Sequence, residues 1–312
     1  MRKAVVVLMV AFAFPSTPAH AWNGRGHMTV AAVAWNHLTP QAKARASALL
    51  KLNPNYAKWT TGVAAADRDR VAFLEAATFP DEMKDDPATY IKDGYTPSDP
   101  AAGDITGYAD KHMHRGWHFI NLPFSPDNTA LKDPFGTNAV TQTRKALDIL
   151  ADATASDDAK SYSLTWVLHL VGDLHQPLHA TNRLTQAIPG GDTGGNAQTA
   201  CSDTRPKCGE RDSLHGFWDG AVGNSTKVAS LKILINRLPA ASAADLQVTD
   251  PQAWAEESLE LAKSVVYQPP VGDDKGPFKL TLGYRKAAGS LAEKRIGLAG
   301  ERLAILLNAR LS

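Results

Sequence analysis

The chain has 312 residues, 44% hydrophobic and 21% charged, the balance of a globular protein rather than a disordered or fibrous one. Its 33 Lys and Arg nearly cancel its 32 Asp and Glu, so no polybasic tail grips a polyanion by charge alone. The one long apolar run, residues 4–14, falls short of the roughly 20 residues a bilayer span needs, which excludes an integral membrane protein. Two cysteines are too few for a disulfide scaffold or a thiolate metal cluster, so any metal falls to His and Asp.

Arg2 and Lys3 lead into the apolar run, Pro15 and Pro18 follow it, and Ala19-His20-Ala21 closes it with an A-x-A pattern. That order reads residues 1–21 as a secretory signal peptide, cleaved after Ala21, and predicts a secreted or periplasmic protein. Removing two of the 33 basic residues leaves 31 against 32 acidic ones, a formal charge of −1 on residues 22–312. Export permits Cys201 and Cys208, seven apart in a loop, to pair; two free thiols are the alternative.

No composition break or repeat divides residues 22–312, which read as one all-α domain. Val30, Ala31, Ala34, Trp35 and Leu38 form one helical stripe, and Thr39-Pro40 opens a second helix that stops before Asn53-Pro54. Residues 64–76 and 138–152 repeat the helical spacing. Residues 160–176 are apolar nearly all round, as a central buried helix is. Asp250-Pro251 starts a helix to about Tyr267, and a last one runs from about Tyr284 to Leu311, with Gly289, Gly297 and Gly300 as candidate kinks. Strand-like alternation is scarce. Long loops fill 85–116, 120–137 and 180–214, and loops of that length in a compact domain are usually functional.

The densest chemistry lies in the run from His169 to His179. His169 and Asp173 are four apart and share one face of the buried helix, where each needs a partner. A metal satisfies both at once; a hydrogen-bonded His–Asp pair is the alternative. Pro177 ends the helix and lets His179 turn back. His215 and Asp219 repeat the His-x3-Asp spacing. His118 sits among aromatics in Trp117-His118-Phe119-Ile120, and Phe79-Pro80-Asp81-Glu82 makes an acidic turn. Imidazoles and carboxylates without cysteine suit zinc in open, hydrolytic sites. Cleavage after Ala21 also exposes Trp22, whose α-amino group can lose its proton and bind metal, with His27 nearby.

In this order, W-x-G-x-G-H, an early Asp, W-H-F-I-N, H-x3-D-x-H-Q-P-L-H, a G-G-N loop and L-H-x2-W-D resemble the zinc-dependent S-one/P-one nuclease family, whose relatives include zinc phospholipases C. The resemblance spans essentially all of residues 22–312. It implies three zinc ions per chain. The first takes Asp81, His118, His169 and Asp173; the second takes the Trp22 amine and carbonyl, His27 and Asp173 as a bridge; the third takes His179, His215 and Asp219. Asp67, Asp69 and Asp85 are the alternatives to Asp81. The resemblance gives His37, His112, His114 and His175 no metal role.

It further implies that Phe119 stacks on a base, that Lys84 lies near the phosphate and that Asn196 contacts substrate. Asn121 stands where the family often has Asp. Asp81 and Asp173 act in catalysis while ligating. The implied substrates are single-stranded DNA, RNA and 3′-nucleotides, cut by a monomer without a membrane anchor to leave 5′-phosphates. The positive charge then resides in the cofactor, not the chain. A phospholipase C is the first rival, although such enzymes usually close with His-x3-Glu soon after the preceding His, whereas here His215 follows His179 by 36 residues and the closing acid is Asp219. A non-enzymatic secreted zinc-binding protein is the second.

Overall fold

A computed structural model describes residues 22–93, 103–132, 134 and 136–311. The signal peptide expected over residues 1–21 lies outside the described residues.

Helices dominate, as the periodicity predicts, and side-chain caps mark where many begin. α1 (Gly24–His37) starts where the Asn23 side chain accepts the Gly26 N–H. α2 (Pro40–Leu50) starts at Thr39 with Pro in its first turn. α3 (Tyr56–Thr60) is a short turn that carries no periodic signal. The segment expected over 64–76 divides into a 3-10 turn, Ala65–Asp67, and α4 (Arg68–Ala76). α5 (Phe79–Asp85) holds the acidic turn, and its Phe79, Pro80, Asp81, Met83 and Lys84 are buried rather than solvated. α6 (Ala139–Ala151) begins with a capping box of Asn138 and Thr141. α7 (Asp157–Leu174) is capped by Ser156.

The second half of the chain continues with α8 (Leu214–Asp219), α9 (Val228–Ile235), α10 (Ala243–Leu246) and α11 (Pro251–Leu261). α11 does not run on as α-helix to Tyr267; a π-helical turn, Ala262–Val266, follows it. α12 (Leu282–Arg310) runs through Gly289, Gly297 and Gly300 without a break. Gly300 serves close approach instead: a Cβ there would lie 2.5 Å from Val33 Cβ of α1.

α7 is the central helix, with every residue from Ser161 to Leu174 buried. It packs against α1, α2, α6 and α12, while α1 packs against α12, α4 and α9. Leu164, Trp166, Val167, Leu168, Leu170, Val171 and Leu174 are fully buried, each large aliphatic side chain contributing about 1.5–3 kcal/mol.

The loops contain two small parallel pairings. β1 (Leu122–Phe124) lies beside β2 (Thr181–Arg183), and β3 (Ala200–Ser202) beside β4 (Phe278–Leu280). The first pairing draws the segment after His118 against the segment after His179. No helix among the described residues is long and apolar enough to cross a membrane.

Candidate metal centre

Three separate elements converge on the last turns of α7. His169 Nε2 lies 3.3 Å from Asp173 Oδ2, as the four-residue spacing predicts. α1 brings His27, whose Nε2 is 3.3 Å from Asp173 Oδ1 and whose ring stacks on that of His169 at 3.9 Å. A 3-10 turn, Arg115–His118, brings His118, with Nδ1 3.4 Å from Asp173 Oδ2 and 2.8 Å from His169 Nε2. α5 brings Asp81, with Oδ1 3.6 Å from His169 Nε2 and 3.8 Å from His118 Nδ1, and Oδ2 4.0 Å from His27 Nε2. Among the acids near it in sequence, Asp67 and Asp85 are exposed. Lys84, one turn on and itself buried, places Nζ 2.7 Å from Asp81 Oδ1.

A second group lies alongside. The 3-10 turn Pro177–Ala180 presents His179, and α8, capped by Ser213, presents His215 and Asp219. His179 Nε2 and His215 Nε2 are 3.0 Å apart, and His215 Nε2 is 3.4 Å from Asp219 Oδ2. Trp22 is fully buried, and the Asn23 N–H donates to the Asp219 carbonyl at 3.2 Å, which ties the start of α1 to α8.

The ring orientations point to cations. His169, His179 and His215 each donate Nδ1–H to a backbone carbonyl, of Ala77, His118 and Gly194 respectively, at 2.7–2.8 Å. In its neutral form each ring then turns an Nε2 lone pair into its group. Two such lone pairs 3.0 Å apart at His179 and His215 repel unless something positive lies between them. In the first group, both Asp173 oxygens and both His27 ring nitrogens are buried without a hydrogen-bond partner. Orphaned polar atoms of this kind cost free energy that a shared metal recovers. The donor set of imidazole nitrogen and carboxylate oxygen, with outer nitrogens held by carbonyls, fits zinc.

Burial also disfavours charge on several of these side chains. It pushes the Asp173 carboxyl up to about 6, against the pull of His169, and raises Asp219 well above the carboxylate range despite the Gln176 hydrogen bond. It drives His27, His118 and His179 well below the usual imidazole value. His169 goes the other way: burial lowers it, but the Asp173 and Asp81 carboxylates outweigh burial and raise it overall. Among the described residues, Lys84 is the one lysine ion-paired within the first group, so the carboxylates there suit further positive charge.

Phe119 and Asn121 are half-buried just beyond His118, with the Phe119 carbonyl accepting from Ala139 N–H at 3.0 Å. Asn196 is exposed on the glycine loop and donates to the Thr193 carbonyl. That loop reaches the second group through Gly194, which has φ +63° and whose carbonyl orients His215; a Cβ there would sit 2.2 Å from the Leu178 carbonyl oxygen. Cys201 and Cys208 form a disulfide, so the thiols beside Asp212 are not free to hold an ion. His112 and His114 pair with Asp110, apart from both groups.

Gln176 is the residue the motif contained but the sequence reading left without a role. Its Nε2 donates to Asp219 Oδ1 at 2.7 Å, and its Oε1 accepts the Leu178 N–H at 2.6 Å. An amide placed between a helix end and Pro177 was the available signal.

The S1/P1 nuclease family matches residues 22–312, and the chain belongs to that family of zinc-dependent nucleases. It is also similar to a plant protein, Endonuclease 4 of Arabidopsis thaliana, at 28% identity over 188 residues. That alignment covers 52% of this chain and 56% of the relative, so the chain spans little more than half of the relative's length.

Proposed function

We propose that residues 22–312 form one zinc-dependent endonuclease domain, exported and monomeric. It hydrolyses phosphodiester bonds of single-stranded DNA and RNA to 5′-phosphorylated products and removes 3′-phosphates from mononucleotides. The observation that supports this most is the facing pair of Nε2 lone pairs at His179 and His215, beside a second group whose Asp173 oxygens have no hydrogen-bond partner. Zinc bound at such groups polarises phosphate oxygens and lowers the pKa of water.

The chain's own residues do the rest. Asp81, His118, His169 and Asp173 would hold one ion; His27, Asp173 and a freed Trp22 amine and carbonyl would hold a second; His179, His215 and Asp219 would hold a third. Asp81 orients the attacking water while ligating. Lys84, held 2.7 Å from Asp81, offsets negative charge on the phosphate. Phe119 offers a ring face beside His118 for one unpaired base, which favours single strands over duplex. Asn121 and Asn196 supply amide contacts to the nucleotide.

The test is an assay of the processed protein on single-stranded DNA, duplex DNA, RNA and a 3′-nucleotide, with and without a zinc chelator, and with phosphatidylcholine as a control. Cleavage of the single strands and the 3′-nucleotide that chelation stops, with the lipid untouched, is expected. Lipid cleavage without nucleic-acid cleavage, or equal rates on duplex and single-stranded DNA, contradicts the reading.

A further inference from the structure

His175 lies inside the ligand-bearing run, two residues after Asp173, and belongs to neither ligand group. Its Nδ1–H donates to the Val171 carbonyl at 2.7 Å, and its Nε2 accepts from Arg302 Nη1 at 2.9 Å. Its ring leans on Trp254 of α11 at 5.1 Å between centroids. Both ring nitrogens are therefore committed, and the imidazole is fully buried.

The groups behind it form one connected set. Arg302, fully buried on α12, donates to both Glu257 oxygens at 2.8 Å and twice to the Asp245 carbonyl. Arg295, two turns earlier on α12, donates to the His175 carbonyl at 3.1 Å, to Glu257 at 2.8 Å and to Ser258 Oγ at 3.0 Å. Ser258 Oγ in turn donates to the Leu174 carbonyl at 2.6 Å. These bonds end on Leu174 and His175, where α7 closes.

A helix leaves its last carbonyls without partners and its C-terminus partly negative. Here the Arg295 guanidinium and the Ser258 hydroxyl supply partners to the His175 and Leu174 carbonyls, and Arg302 braces the His175 ring. Apolar side chains of like volume would cost less to bury; what the guanidiniums add is direction. The chain must turn from Asp173, through Gln176 on Asp219, to His179 within six residues.

We propose that Arg302, Arg295 and Glu257, acting through His175 and the Leu174 and His175 carbonyls, are a positioning clamp that sets Asp173 and Gln176 and thereby the metal affinity of both ligand groups. The clamp rests on the zinc reading above. None of its members touches the substrate; they are positioning residues, and they couple the C-terminal helix to the site.

The experiment strips the processed protein with a chelator, titrates it with zinc against a competing indicator at 25 °C, and records the visible spectrum after cobalt loading. Arg302→Met and His175→Phe are expected to bind at least one ion about 10- to 100-fold more weakly and to alter the cobalt bands. His175→Gln, which keeps an acceptor for Arg302, is expected to bind as the unsubstituted protein does. Leu50→Ala, which opens a cavity at a fully buried side chain of α2, controls for lost stability and is expected to leave zinc affinity unchanged. Should Arg302→Met fail to fold, His175→Phe decides the matter. Unaltered zinc affinity and cobalt spectrum in His175→Phe overturn the clamp, as does a loss in Arg302→Met matched by Leu50→Ala. Absence of zinc binding by the unsubstituted protein overturns the zinc reading itself, and the two failures are distinct.

Discussion

Replacing Asp173 with Asn separates what the site costs the fold from what it gains with metal. In the metal-free protein, burial pushes the Asp173 carboxyl from 3.8 up to about 6. The folded state thus keeps its proton to a higher pH than the unfolded chain does. Stability is lost as the pH rises through that window, and at pH 8 the ionised carboxylate costs about 3 kcal/mol, at about 1.4 kcal/mol per pKa unit. Asn removes that cost. It also removes the attraction to His169, 3.3 Å away, so about 3 kcal/mol is an upper bound. Metal-free Asp173→Asn should therefore melt several degrees higher than the unsubstituted protein at pH 8, at roughly 2 °C per kcal/mol. The difference should shrink as the pH is lowered toward 5. On the proposed ligand set the order reverses with zinc, because an ion at a thousandfold its dissociation constant adds about 4 kcal/mol to the protein that binds it and a neutral amide is a weaker zinc ligand than a carboxylate. Calorimetry at both pH values, with and without zinc, measures all four terms. The reasoning is refuted if metal-free Asp173→Asn melts at or below the unsubstituted protein at pH 8, or if zinc raises both melting temperatures equally.

Gly194→Ala should cost about 1–3 kcal/mol in stability, because a Cβ cannot fit 2.2 Å from the Leu178 carbonyl at φ +63°; denaturant melts measure it, and turnover should fall with it as His215 loses its carbonyl partner. Phe119→Ala should weaken single-strand binding by about 1–3 kcal/mol while duplex rates change little, which paired KM measurements resolve. A chain retaining residues 1–21 should bind one ion fewer than the processed chain and lose most turnover, since the Trp22 amine stays in a peptide bond; metal content before and after processing tests it.

The parts legible in the sequence were those set by local rules. His169 and Asp173 share a face because the helical period puts them there, and the start of α2 follows from Thr39-Pro40, whereas α7 begins at Asp157, three residues before the apolar run that marked it. Motif order carried the family. What stayed hidden depends on tertiary contact. Three-residue strands such as β1 and β2 have no period to read, and their pairing comes from the approach of the segments that follow His118 and His179. Nothing local tells that Asp81 is buried while Asp67 and Asp85 are exposed; the packing of α5 against α7 brings Asp81 beside His118 and His169. His118 sits on a 3-10 turn entered through His114 in the left-handed region, at φ 48°, which no propensity forecasts. Gly300 looked like a kink and is a contact with α1, because a missing Cβ serves bending and close packing alike. Arg295 and Arg302 lie 120 and 127 residues from His175, beyond any motif.

The most direct test of the account is diffraction from zinc-soaked crystals of the processed protein, recorded on both sides of the zinc absorption edge. Three anomalous peaks should appear: one among Asp81, His118, His169 and Asp173, one between His27 and Trp22, and one among His179, His215 and Asp219. Peaks elsewhere, or none within bonding distance of Asp173 and of the His179–His215 pair, would contradict the claim that these side chains share metal ions.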